Sequence, residues 1–194
     1  MIIAALKRYI KNSLHRPRGI RLGDDARVML PRWLHNRERI SIGARTTVGR
    51  FVVLNPLTGH DGVAHDGRIH IGDDVYIGGF CQIHSMSSLE IGDGAVLSEH
   101  VYVSDTAHGL NPLAGPIMAQ PLESKGPVRI GKGVFIGFGA AVLPGVTLGD
   151  HCVVGTRAVV TRSFPPYSMM VGSPARCVKV FDLETRQWVP APDA

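Results

Sequence analysis

The sequence predicts an all-β solenoid, a parallel coil with three six-residue sides, and three observations predict it. The first is a repeat: an aliphatic residue recurs every sixth position at Ile130, Ile136, Val142, Leu148, Val154 and Val160. The same period runs upstream in blocks of three: Leu22, Val28, Leu34; Ile42, Val48, Leu54; Ile71, Ile77, Ile83; Ile91, Leu97, Val103. Fixed self-similarity of this kind marks stacked repeats. The second is where the period breaks. Inserted residues follow Leu34, Leu54, Ile83 and Val103, always after the third member of a block. All extra chain therefore leaves a prism about six coils tall from one corner. The third is a companion column two residues earlier, as in Ile40, Val75, Cys81, Leu89 and Val134, which is small or apolar throughout except at Arg32. Residues two apart share a strand face, so both columns point inward.

The elements follow in order. Residues 1–19 read as an amphipathic helix and cap. Ile2, Ile3, Leu6, Tyr9, Ile10 and Leu14 fall on one side, with Lys7, Arg8, Lys11 and His15 mostly opposite. The helix covers the apolar edge of the first coil, or residues 1–16 lie on an anionic membrane surface. Residues 20–164 form the coil. Glycine follows the aliphatic residue on every first side (Gly23, Gly43, Gly72, Gly92, Gly131, Gly149), as expected where the backbone needs unusual freedom. Asp24, Asp73, Asp93 and Asp150 come next, as turn residues. Two excursion loops, 55–68 and 107–127, leave the shared corner. Residues 165–194 form a short C-terminal segment, proline-rich at its end, with Trp188 expected to pack and the rest to fray.

Composition narrows the class. Apolar residues make up 44% and charged residues 19%, which excludes global disorder. The 23 glycines and 13 prolines suit many tight corners rather than a helical bundle. No apolar run approaches the roughly 20 residues that span a bilayer. The opening Met1–Arg8 puts its charges after its apolar residues, the reverse of a secretory signal, so a cytoplasmic location is expected. Cys81, Cys152 and Cys177 lie far apart with no C-x-x-C spacing, so neither zinc nor a disulfide framework is indicated. Of 21 Lys and Arg, 12 fall within residues 1–50, beside 3 of the 16 acidic residues. That basic quarter is a solvated surface or faces an anionic partner. No nucleic-acid motif accompanies it.

The Ile-Gly-Asp arrays resemble the hexapeptide-repeat acyltransferases, over roughly residues 20–180. The resemblance implies a left-handed parallel β-helix, a hand opposite to the usual crossover rule. It also implies a homotrimer with each active site between adjacent prisms. The stretch Val103-Ser104-Asp105-Thr106-Ala107-His108-Gly109 resembles the catalytic-histidine segment of sugar O-acetyltransferases. Pro116-Ile117, Gln120-Pro121 and Gly126 to Gly131 resemble the branch acting on bacterial surface glycans. By that similarity His108 is the general base.

The chemistry agrees with this independently. Transfer from a thioester to an alcohol needs the hydroxyl proton removed during attack, and a near-neutral imidazole suits that task. No metal is required. Asp105, Glu123 or a backbone carbonyl would orient the ring. The resemblance implies acetyl-CoA as donor. Phe138 and Thr156 would line the pantetheine path, Thr161 and Arg162 would follow along the groove, and Arg176 and Lys179 would reach phosphates. Phe135, Phe138 and the pair Thr156-Arg157 depart from the family pattern. On the acceptor side, Phe80 replaces a polar family residue, while His84 and Asn111 are candidates to face a sugar or glycan precursor. The 55–68 excursion, with His60, Asp61, His65 and Asp66, is a candidate specificity loop. The alternatives are another small-molecule acceptor, a metal-dependent hydratase resembling the gamma-class carbonic anhydrases, and a non-catalytic trimer.

Overall fold

The computed structural model describes residues 18–192. The expected N-terminal helix lies outside them. The chain winds around three parallel sheets that form the walls of a prism. The first wall stacks Arg21–Leu22, Ile40–Ile42, Arg68–Ile71, Ser88–Ile91, Val128–Ile130 and Thr147–Leu148. The third stacks Trp33–Leu34, Val53–Pro56, Gln82–Ser85, Tyr102–Ser104, Ala141–Val142 and Val159–Val160. The second runs from Arg27–Val28 through Val153–Val154 and continues past the repeat. Register keeps each aliphatic residue over its counterpart: Ile77 pairs with Val48 and Leu97, and Ile83 with Leu54 and Val103. A continuous core results. Sixteen of the eighteen repeat positions are buried, while Leu22 and Leu34 are partly exposed on the first described coil. Thr46, the polar member of the inner column, is satisfied there. Its hydroxyl donates to the Gly72 carbonyl at 2.7 Å and accepts from Val75 N–H at 3.0 Å.

The Gly-Asp motif has a different cause from the one expected. None of the six first-side glycines has a positive φ. They are small because the next coil presses on them: a Cβ on Gly43 would stand 2.5 Å from the Gly72 carbonyl carbon, and one on Gly149 would stand 2.3 Å from Pro166 N. The aspartates then tie successive coils together. Asp73 Oδ1 accepts from Ala44 N–H at 2.8 Å, Asp93 Oδ1 from Asp73 N–H at 3.0 Å, and Asp150 Oδ1 from Lys132 N–H at 2.8 Å. The Asp73 N–H, and then Lys132, hold the Asp93 carboxyl below its ordinary value. Left-handed backbone falls instead on the corners, at Asp25, Arg45, Asp74 and His151 on one and Leu30, Phe51, Phe80, His100 and Arg157 on the next.

The tail is more ordered than the sequence led us to expect. Ser168–Val171 adds a parallel rung beside Val153–Val154, and Arg176–Asp182 and Gln187–Pro190 then pair antiparallel. Cross-strand pairs of β-branched and aromatic residues stabilise this extension: Val180 faces Val189, and Phe181 faces Trp188. Phe164 and Met170 close the last coil, in register with Leu148 and Val154.

Candidate active site

His108 stands just beyond the third wall. The strand Tyr102–Ser104 ends at the corner where chain was expected to leave, and Ala107–His108 then pairs antiparallel with Leu122–Glu123. The excursion is thus a folded hairpin rather than an open loop. Gln120, buried inside it, acts as its strut. Its carbonyl accepts from Asn111 N–H, and its amide donates to the Asn111 and Gly115 carbonyls, each at 3.0 Å. A Cβ on Gly109 would meet Gln120 at 3.0 Å, so a larger residue after His108 would press on that strut. Gln120→Ala leaves these backbone groups without their partner and should cost about 1–3 kcal/mol. Limited proteolysis should show faster cleavage between residues 107 and 127, with the coil intact.

Asp105 does not orient His108. It is fully buried and its carboxylate accepts five bonds: Met86 N–H at 2.6 Å, Ser87 N–H at 3.0 Å, Ser87 Oγ at 2.7 Å, Ser85 Oγ at 3.0 Å and Thr106 Oγ1 at 3.0 Å. It clamps the corner from which the hairpin springs. Glu123 lies opposite Ala107 and is exposed. The His108 ring is half-buried, and its Nδ1 is enclosed with no hydrogen-bond partner among the described residues.

The two excursions meet. In the loop 55–68, Gly59–His60 pairs antiparallel with Val63–Ala64 around a tight Asp61-Gly62 turn. The His60 ring packs edge-on against that of His108, with centroids 5.9 Å apart. Leu57 N–H donates to the Ser85 carbonyl at 2.7 Å, so this loop is seated on the residue that also bonds Asp105.

The acceptor candidates separate. His84 lies on the third wall, where Asn55 Nδ2 donates to its Nδ1 at 3.3 Å. Burial, and then neighbouring His35, push its pKa below 6.5. Below that value the unfolded chain takes up a proton at this position before the folded one does, so stability falls as pH drops. His84→Gln should flatten the decline in urea midpoint between about pH 7 and 5.5. Asn111 is in the hairpin, its side-chain oxygen accepting from Leu113 N–H at 2.9 Å. Phe80 is at the corner between the second and third walls. It stacks on His100 at 4.9 Å and leans on Phe51 at 5.1 Å. His100 also touches Phe138, at 5.2 Å. Sequence reasoning missed this exposed aromatic column, since its members are far apart in the chain and align only by coil register.

The donor candidates fall on two patches. Phe138 and Thr156 sit in register on adjacent coils at that same corner, where Arg157 N–H donates to the Phe138 carbonyl at 2.8 Å. Arg162 and Arg176 line one cleft of about 310 Å³ with Ser163, Phe164 and Pro165. The Arg162 guanidinium lies 5.2 Å over the Phe164 ring. Thr161 precedes it, exposed, and Lys179 is exposed on the strand Arg176–Asp182. Within one chain, His108 and the Phe138–Thr156 patch stand at different corners.

Comparison with known proteins agrees with this architecture. The family described as bacterial transferase hexapeptide (six repeats) matches residues 127–162, and that described as hexapeptide repeat of succinyl-transferase matches residues 68–104. A Mycobacterium tuberculosis protein assigned as an acetyltransferase is 34% identical over 79% of this chain, and the chain spans only 44% of its length. Escherichia coli WbbJ, assigned to O-acetyl transfer in lipopolysaccharide biosynthesis, is 29% identical over 83% of this chain and 82% of its own. A maltose O-acetyltransferase structure from Clostridium difficile is 30% identical, with a TM-score of 0.54 over 70% of this chain and 69% of that one. The Bacillus cereus N-acyltransferase AntD, solved with dTDP and 3-hydroxybutyryl-CoA, shares the fold at a TM-score of 0.68 and 21% identity, over 92% and 90% of the two chains. Repeat, prism and relatives together place the chain in the hexapeptide-repeat acyltransferase superfamily, to which it belongs.

Proposed function

We propose that the protein is an acetyl-CoA-dependent O-acetyltransferase whose acceptor is a hydroxyl of a sugar or glycan precursor. The observation that carries this reading is the position of His108, held half-buried on a braced hairpin at the corner where both excursions meet. The names of the relatives support the transfer and the sugar-related acceptor. The CoA-bound neighbour supports the donor class.

The step is a direct displacement. His108 takes the proton of the acceptor hydroxyl as its oxygen attacks the thioester carbonyl. The carbon–sulfur bond breaks, and the CoA sulfur leaves with the proton returned by the imidazolium. The thioester is already activated, so no covalent enzyme intermediate is needed. Arg162 and Arg176, sharing one cleft, are suited to anionic phosphates. Thr161 and Lys179 would extend that contact, and Phe138 and Thr156 would flank the pantetheine arm. His84 and Asn111 would contact the acceptor, and Phe80 would offer it an aromatic face. Base and pantetheine patch stand at different corners, which supports a homotrimer with a site completed between two prisms.

No helix among the described residues is long and apolar enough to cross a membrane. A cytoplasmic site, with residues 1–16 touching the inner membrane surface, belongs to the same proposal. Thiol release from acetyl-CoA, measured against a panel of sugars, nucleotide sugars and surface oligosaccharides, tests the function. Release that depends on a sugar acceptor is expected. Release with none of them, despite acetyl-CoA binding, would count against the acceptor class.

A further inference from the structure

We propose that His60, from the loop 55–68, is the positioning residue of His108. The inference rests on reading His108 as the base. A histidine that takes a proton at one ring nitrogen must have the other fixed by a partner, or its tautomer and orientation drift. The enclosed Nδ1 of His108 is the nitrogen in need of one. Neither acidic residue nearest it in sequence supplies it: Asp105 is saturated by its five donors, and Glu123 is opposite Ala107 and exposed. The ring packed against His108 belongs to His60.

His60 is itself incomplete. Its Nε2 is enclosed without a hydrogen-bond partner among the described residues, and Asp61 Oδ2 stands 3.6 Å away, beyond hydrogen-bond distance. Two enclosed, unpaired nitrogens on imidazoles packed edge to face cost free energy that one shared bond relieves. A neutral imidazole carries one donor and one acceptor. His60 Nε2, as acceptor, can take the proton on His108 Nδ1 by reorientation of the packed rings or through one water. That fixes His108 as the Nδ1–H tautomer and leaves its Nε2 as the basic atom. Asp61 Oδ2 stands beside that same Nε2, but its side chain is 60% exposed and free to turn into solvent as the shared bond forms.

The mounting suits the task. His60 is the strand residue that flanks the two-residue Asp61-Gly62 turn, and the loop's base is seated on Ser85, which bonds Asp105, three residues before His108. Both imidazoles are therefore referenced to one corner of the coil. His65 Nε2 is enclosed and unpaired too, but its ring is not packed against His108.

The test reads the tautomer directly. Nitrogen-15 spectra of the full chain at pH 8, with His108 assigned by its absence in His108→Ala, should show Nδ1 protonated and Nε2 bare. His60→Ala should convert His108 to a tautomer mixture. It should also lower kcat by up to about 10²-fold with acceptor KM unchanged. His60→Gln, whose side-chain carbonyl can accept the same proton, should restore much of both. An unchanged His108 tautomer in folded His60→Ala would overturn the inference, whatever the activity. A changed tautomer with transfer unaffected would leave the His60–His108 pairing standing and remove His108 from catalysis, so the two readings fail separately.

Discussion

His108→Ala should lower kcat/KM for acetyl transfer by about 10²–10⁴-fold while leaving the fold and acetyl-CoA affinity intact. The size follows from the chemistry. Without a base, the attacking hydroxyl must lose its proton to water, and the alternative route runs through scarce alkoxide. The selectivity follows from the structure. His108 projects from the Ala107–His108 strand outside the stacked aliphatic core. Its removal leaves Gln120 and Asp105, the groups that brace the hairpin, untouched. The two proposed donor patches are built from other coils, so titration calorimetry with acetyl-CoA should give the wild-type Kd. A mutant that loses donor binding in proportion to activity would place His108 in the donor site instead.

Asp105→Ala should be the most damaging single change to stability outside the aliphatic core, costing about 2–6 kcal/mol, at about 1–3 kcal/mol for each of the two backbone N–H groups left without an acceptor. Two of the five donors are backbone N–H groups, of Met86 and Ser87, which cannot turn to a new partner. The three hydroxyls, of Ser85, Ser87 and Thr106, can rotate but have lost a charged acceptor. Asp105→Asn is the informative companion. Met86 N–H uses one carboxylate oxygen and Ser87 N–H the other, so either amide orientation sets an NH₂ against a backbone N–H. Asn should therefore recover only part of the loss. Urea unfolding followed by circular dichroism measures both. Activity should fall in each variant as well, because the corner carries the hairpin that holds His108 and the Ser85 seat of the 55–68 loop.

The coil was legible because its physics is periodic. A residue such as Ile83 must be aliphatic since Leu54 and Val103 lie directly above and below it, and the sequence repeats that demand every turn. The corner that releases the excursions was legible for the same reason: added chain interrupts the period, and every interruption falls after the third side. The reason for Gly43 was not legible, since its cause is a neighbour 29 residues on, at Gly72, rather than its own backbone angles. The tail was underestimated because its proline-rich end obscured the Val180–Val189 and Phe181–Trp188 pairing. In the candidate site, the flanking residues singled out His108, the proposed base. The role of Asp105 was not legible: proximity in sequence made it a candidate partner for the imidazole, yet it faces back into the coil and binds Met86 and Ser87. His60 stood out only as a member of a loop, because its meeting with His108 depends on how two insertions fold against each other.

The proposed reaction is direct transfer of an acetyl group from CoA to a sugar hydroxyl with His108 as base. It is tested most directly by following carbonyl-labelled acetyl-CoA by carbon-13 NMR in the presence of an accepted sugar, with wild-type protein and His108→Ala in parallel. The label should move to a sugar ester with the wild type, none should be retained on the protein, and the mutant should form ester at a rate lower by about 10²-fold or more. Ester formed equally fast by His108→Ala, or label held covalently by the protein before it reaches the sugar, would contradict it.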